Sequence, residues 1–83
     1  MRLSQLSYLI FDAASNYPDN WNTYIFISFR NTDESWGRPT KLNSQINSGD
    51  VNYMPYISPD QQFLFFCRQG DLYWADATKI SQQ

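Results

Sequence analysis

The side chains that could do chemistry in this 83-residue chain are eight carboxylates and one thiol, with no histidine anywhere. The carboxylates are Asp12, Asp19, Asp33, Glu34, Asp50, Asp60, Asp71 and Asp76; the thiol is Cys67. Without histidine there is no Ser-His-Asp triad and no Cys-His dyad. A Cys/His zinc site is excluded by counting, and a lone cysteine cannot form an internal disulfide. Glycosidase chemistry needs two carboxyl groups facing each other across a cleft. Most carboxylates here instead sit in turn-forming sequences, such as Ser58-Pro59-Asp60 and Gly70-Asp71, where Asp stabilises local backbone. Phosphate cradles need clustered glycines, and Gly37, Gly49 and Gly70 are isolated. The expectation is a protein that is not an enzyme, with no catalytic residue, no metal and no cofactor.

Aromatic side chains are the other reactive surface, as stacking platforms. Phe, Tyr and Trp make up 18 % of the residues, which favours pleated, half-buried strands. Trp21, Tyr17, Trp36 and Tyr53 fall near expected loops or strand ends, so they are the candidate contacts for a ligand or partner. Sugars stack on such rings while Asn and Asp bond their hydroxyls; the simpler role is packing, with Trp36 and Trp74 packed between neighbouring sheet units and Tyr53 plugging an interface. Trp21 is the one that packing explains least. Cys67, inside an aromatic run, reads as a buried structural thiol.

The elements that must position these groups are strands. Only four alanines are present, which disfavours helices. Strand-like runs alternate with turn clusters at short spacing, the pattern of an antiparallel all-β fold. Six strands are expected: Ser7 to Phe11, Thr23 to Arg30, Trp36 to Leu42, Tyr53 to Ser58, Phe63 to Cys67, and Leu72 to Asp76. No helix longer than one turn is expected. In the second strand Ile25, Ile27 and Phe29 share one face and Tyr24, Phe26 and Ser28 the other, so it is covered on both sides. Pro39 can donate no ladder hydrogen bond and marks an edge. Asn43 to Asp50 reads as a polar connection, and a hairpin closes either over Gly70-Asp71 or over Arg68 to Asp71.

The order of these pieces resembles a known repeat. Tyr53-Met54-Pro55-Tyr56-Ile57-Ser58-Pro59-Asp60, then Phe63-Leu64-Phe65-Phe66, then Gly70-Asp71-Leu72-Tyr73-Trp74-Ala75-Asp76 resembles one blade of the TolB-like, WD-like β-propeller repeat. Upstream, Tyr24 to Arg30 followed by Trp36, Pro39 and Leu42 looks like the third and fourth strands of a preceding blade. The resemblance is clearest over residues 53–74 and departs at Gln61, where the family usually has glycine. An internal echo supports it: Tyr8-Leu9-Ile10-Phe11 matches Phe63-Leu64-Phe65-Phe66, and Tyr24-Ile25-Phe26 matches Leu72-Tyr73-Trp74. The echo period is about 50 residues, near that of a propeller blade.

The resemblance implies a single domain over 1–83 made of two incomplete propeller-like blades. Residues 6–42 would supply strands two to four of one unit, and residues 53–77 strands one to three of the next. A closed propeller needs about 4–8 blades. Three copies could close a six-bladed ring, two could exchange strands, or the segment could pack compactly on its own. A chain this small buries only roughly 60–65 % of its unfolded surface, so a staple is needed. With disulfides and zinc excluded, self-association is the expected staple, and the expected function is a homo-oligomeric interaction or assembly module. The alternative is small-ligand or carbohydrate binding at an aromatic-lined interface between copies.

Other partner classes find no support. The six basic residues are scattered and the formal charge is −2, so no positively charged nucleic-acid face is expected. No apolar run approaches the ~20 residues that cross a bilayer. The stretch Met1 to Leu6 lacks the apolar core of a signal peptide, which leaves a cytoplasmic location as the expectation.

Overall fold

The computed structural model describes residues 8–14, 18–19 and 21–78. Among these residues six strands form: β1 (Tyr8–Ala14), β2 (Thr23–Phe29), β3 (Thr40–Lys41), β4 (Asn52–Ile57), β5 (Phe63–Arg68) and β6 (Asp71–Asp76). They make two three-stranded antiparallel sheets in the orders β1-β2-β3 and β4-β5-β6. No α-helix occurs among the described residues. The all-β, antiparallel expectation holds. Neither sheet, however, is a complete four-stranded propeller blade.

The register decides which side chains meet. In the first sheet Ile10 pairs with Ile27 and Asp12 with Ile25, while Leu9 pairs with Ser28 and Phe11 with Phe26. Successive strand residues point to opposite faces. Ile10, Ile25, Ile27 and Phe29 therefore share the inner face, and Leu9, Phe11, Tyr24 and Phe26 the outer one. In the second sheet Ile57 pairs with Leu64, and Leu64 with Ala75; Phe66 pairs with Tyr73. These inner faces meet in a core of Ile25, Ile27, Leu42, Ile46, Leu64, Phe66 and Ala77.

Two strands differ from the sequence expectation. The stretch Trp36 to Leu42 pairs as a ladder only at Thr40–Lys41, with one isolated bridge from Trp36 to Arg30. Pro39 has no N–H to give, and the Gly37 amide is already donated to the Phe29 carbonyl at 2.7 Å. β1 runs past Phe11 to Ala14, carrying Asp12 within the ladder.

The connection Asn43 to Asp50, polar in sequence, is a structural fastener. Asn47 acts as a short strand made of side chain. Its Oδ1 accepts from the Ile25 amide at 2.8 Å, and its Nδ2 donates to the carbonyls of Ile25 and Leu42, both at 2.9 Å. Those bonds extend the β2 edge from the Leu42 amide, which donates to Ile25 O, toward Thr23, which donates to Asp50 O. Arg68 grips the same connection from the second sheet. One guanidinium nitrogen donates to the carbonyls of Gln45 and Ile46, and Nε donates to Asn52 Oδ1. Between these two anchors Ile46 is buried in the core.

Turn chemistry fixes the second sheet. Gln61 N–H donates to Ser58 O at 2.8 Å, closing a four-residue turn, and Ser58 and Phe63 are tied by two further bonds. Asp60 accepts from the Ser58 hydroxyl and the Gln62 amide, and those donors hold its carboxyl below the usual range. Gln61 sits at φ +61°, where an L side chain is strained and glycine is not. Between β5 and β6 the loop is Gln69-Gly70, since Arg68 pairs directly with Asp71. Both loop residues have positive φ, as a two-residue hairpin turn requires.

Two stability measurements follow from these contacts. Asn47→Ala removes three hydrogen bonds and orphans a buried Ile25 amide, so urea unfolding should show a loss of about 2–4 kcal/mol. Asn47→Asp should not restore it, because the carboxylate cannot donate to the Ile25 and Leu42 carbonyls; a loss below about 0.5 kcal/mol in Asn47→Ala would refute the fastening role. Gln61→Gly relieves the left-handed strain, and a gain of about 0.5–1 kcal/mol is expected from the same melts. A destabilised Gln61→Gly protein would contradict that reading of the turn.

Candidate functional site

The outer face of the second sheet is an open aromatic grid. Strand register gives three rows across it: Phe63 with Asp76; Tyr56, Phe65 and Trp74; Tyr53, Cys67 and Leu72. Each lies on the parity opposite to the core residues Leu64, Phe66 and Ala75. Phe63 meets Trp74 edge-on, with ring centroids 5.6 Å apart at 77°, and Phe63 and Phe65 lie 6.4 Å apart. Tyr56 is 59 % exposed, Phe63 38 %, Leu72 71 % and Trp74 65 %. Aromatic side chains present about 150–250 Å² each, so these fractions leave on the order of 400–500 Å² of ring and methyl surface in water. That is the size of the largest apolar patch on a typical single chain, and such patches are often functional.

A β-bulge shapes one border of this grid. The register of β4 shifts between Tyr53 and Tyr56, where Met54 lies at φ +54° ahead of Pro55. The displaced Met54 amide donates to the Asp12 carboxylate of the first sheet at 2.7 Å. Asp12 thus ties the bulge to β1, and Met54 itself is pushed out to 66 % exposure. Bulges bend the strand that carries them and re-aim side chains. Here the shift brings Tyr56 beside Phe65 on the open face.

The first sheet has a lesser counterpart. Phe11 and Phe26 stack at 5.9 Å with ring planes 16° apart, and Leu9 is exposed beside them. Lys41 lies over the Tyr24 ring, its ammonium 3.9 Å from the centroid. Ser28, on the same face, is buried because its hydroxyl donates to the Gly37 carbonyl at 2.6 Å.

The four aromatic candidates named from sequence are not brought together. Trp21 is exposed ahead of β2, whereas Trp36 pairs across to Arg30 at the far end of that strand. A seven-residue strand separates these ends by about 20 Å. Trp36 is half-buried under the Arg30 guanidinium, which lies 5.5 Å from its ring and pairs with Glu34 at 2.9 Å. Tyr53 alone joins the open grid, at its border. Tyr17 lies outside the described residues. Trp74, Tyr56, Phe63 and Leu72 were the surface residues that sequence reasoning missed. Their parity against Leu64 and Phe66 is a readable signal, although it does not say which face is the covered one.

Five of the eight carboxylates are engaged in structural contacts. Asp12 holds the Met54 amide, Asp33 accepts from Ser35, Asp60 from Ser58 and Gln62, and Asp76 from Thr78; Glu34 pairs with Arg30. Hydroxyl and amide bonds from Ser35 hold Asp33 below the usual carboxylate range. Among the described residues no group of three or more His, Cys, Asp or Glu could hold a metal ion. No helix of the described residues is long and apolar enough to cross a membrane. Cys67 is half-buried on the open face of β5 rather than sealed in the core. No family model matches the chain, and no curated protein or solved structure matches it.

Proposed function

We propose that the chain is a non-catalytic assembly module that associates with copies of itself, burying the aromatic outer face of the second sheet between chains. The observation that carries this reading is the row Tyr56, Phe65 and Trp74, flanked by Phe63 and Leu72 and left open to water. Interface centres are enriched in Trp, Tyr and Phe and depleted in charge, and this grid has one charged residue, Asp76, at its border. The two sheets are then successive blade-like units of propeller type. The strand order β1-β2-β3 followed by β4-β5-β6, the left-handed residue at the Gln61 turn and the tight Gln69-Gly70 hairpin support that view.

Carbohydrate binding is the weaker reading. Trp74 and Tyr56 offer stacking surface, but a sugar also needs several hydrogen-bonding groups around the rings. Asp76 is the carboxylate on this face, and it accepts from the Thr78 amide and hydroxyl. An enzymatic reading gains nothing from carboxylates engaged in turns, caps and the Asp12 tie.

Light scattering behind a sizing column should return a discrete multiple of the chain mass. Trp74→Glu should drop it to one chain, while Trp21→Ala should leave the assembled mass unchanged. A well-folded single chain for the unmodified protein would overturn the reading. A glycan-dependent shift in tryptophan emission that Trp74→Ala abolishes would favour the carbohydrate alternative instead.

A further inference from the structure

Resting on the assembly reading, we infer that the occupant of the aromatic face is the first sheet of a second copy, docked by its outer face in a head-to-tail arrangement. The surface concerned is Leu9, Phe11, Tyr24 and Phe26, with Lys41 among them. Three observations select it over the other surfaces a second copy could offer.

The first is layer order. Within one chain the inner face of sheet one packs on the inner face of sheet two, and each sheet keeps a second apolar face turned away from that core. Placing the outer face of sheet two against the outer face of the next sheet one continues the same alternation. It covers both open faces with a single type of contact. Pairing two copies through sheet two alone would leave Leu9, Phe11 and Phe26 uncovered in each.

The second is charge. The outer face of sheet one carries Lys41, exposed, and no carboxylate in β1, β2 or β3 points with it, since Asp12 shares the inner parity with Ile25. The outer face of sheet two carries Asp76 and no cation. Opposite signs across an interface fix orientation and disfavour the wrong pairing, and two copies of the Asp76 face are alike in sign.

The third is area. The grid on sheet two supplies on the order of 400–500 Å², short of the roughly 800 Å² per partner of a stable interface. Each head-to-tail contact still buries one grid, but a chain that uses both faces takes part in two such contacts, so closure of a ring adds to what a single contact supplies. Because the two faces differ, the contact is heterologous, and repetition gives a closed ring where the rotation closes and an open filament where it does not.

The test is complementation between two blocked chains. Leu9→Glu blocks only the sheet-one face, and Trp74→Glu only the sheet-two face; both positions are exposed, so neither charge enters the core. Lys41→Glu and Leu72→Glu provide a second pair of blocks, and cooperative urea melts confirm that each chain folds. The expected result is that every blocked protein runs as one chain. An equimolar mixture of Leu9→Glu with Trp74→Glu, read at the highest concentration at which each blocked protein alone still runs as one chain, then shows a two-chain species and nothing larger, because one good face remains on each partner. If Leu9→Glu and Lys41→Glu keep the unmodified protein's mass while Trp74→Glu does not, the aromatic face still assembles, but the head-to-tail inference falls. If the mixture stays at one chain, the inference falls as well. A single-chain mass for the unmodified protein overturns this inference and the assembly reading together.

Discussion

A strand that is apolar on both faces is stabilised by cover on each, and over Phe63–Cys67 β5 of this chain is such a strand. Phe63, Leu64, Phe65, Phe66 and Cys67 run without a polar break, so the register sends Leu64 and Phe66 into the core and Phe63, Phe65 and Cys67 to the other side. β2 has the same character, with Ile25 and Ile27 inward and Tyr24 and Phe26 outward. Two sheets stacked on each other can cover only one face of each. The remaining two faces are the consequence from which the functional reading follows. Transfer of apolar surface from water is worth about 25 cal/mol per Å², which is the favourable term that the proposed cover of these faces would draw on.

What holds the two sheets at their mutual angle is a short polar connection rather than a second core. Asn47 completes the edge of β2, Arg68 clasps the carbonyls of Gln45 and Ile46 from β5, and Ile46 is buried between them. Arg68 also lies over Tyr73, its guanidinium carbon 4.5 Å from the ring centroid, and that ring stacks on Phe66. The guanidinium thus links a polar clasp to the aromatic layer beneath it. Asp12 and the Met54 amide add a tie near the bulge. These bonds join the two sheets at both the Asn43–Asp50 connection and the β4 bulge.

Much of this architecture was legible in the residues. Alternating aromatic and β-branched runs indicate six strands, and parity separates Ile25, Ile27 and Phe29 from Tyr24 and Phe26 without saying which set faces the core. Gln61, out of place in a turn that usually takes glycine, proved to lie in the left-handed region. The connection from Asn43 to Asp50 was not legible. Its role depends on Asn47 reaching a residue 22 positions away, a contact with no local signature. The site was only partly legible for a related reason. Aromatics beside loops drew attention to Trp21, Trp36, Tyr17 and Tyr53, but exposure in a sheet is decided by which face finds a neighbour. Sequence alternation marks two faces of β5 and β6 without saying which one the first sheet covers, so it does not show that Trp74 stands in the open row.

The central claim is that the outer faces of both sheets are covered in solution by other copies. The most direct measurement is a dilution series followed by NMR on the Trp74 indole and the Leu72 and Leu9 methyl groups, with Leu64 and Ile25 as buried references. Across about a hundredfold dilution, near the range where modest interfaces dissociate, the three outer signals should move or broaden together while the two references hold still. Outer signals that stay fixed at every concentration, on a protein whose mass is that of one chain, would contradict the account.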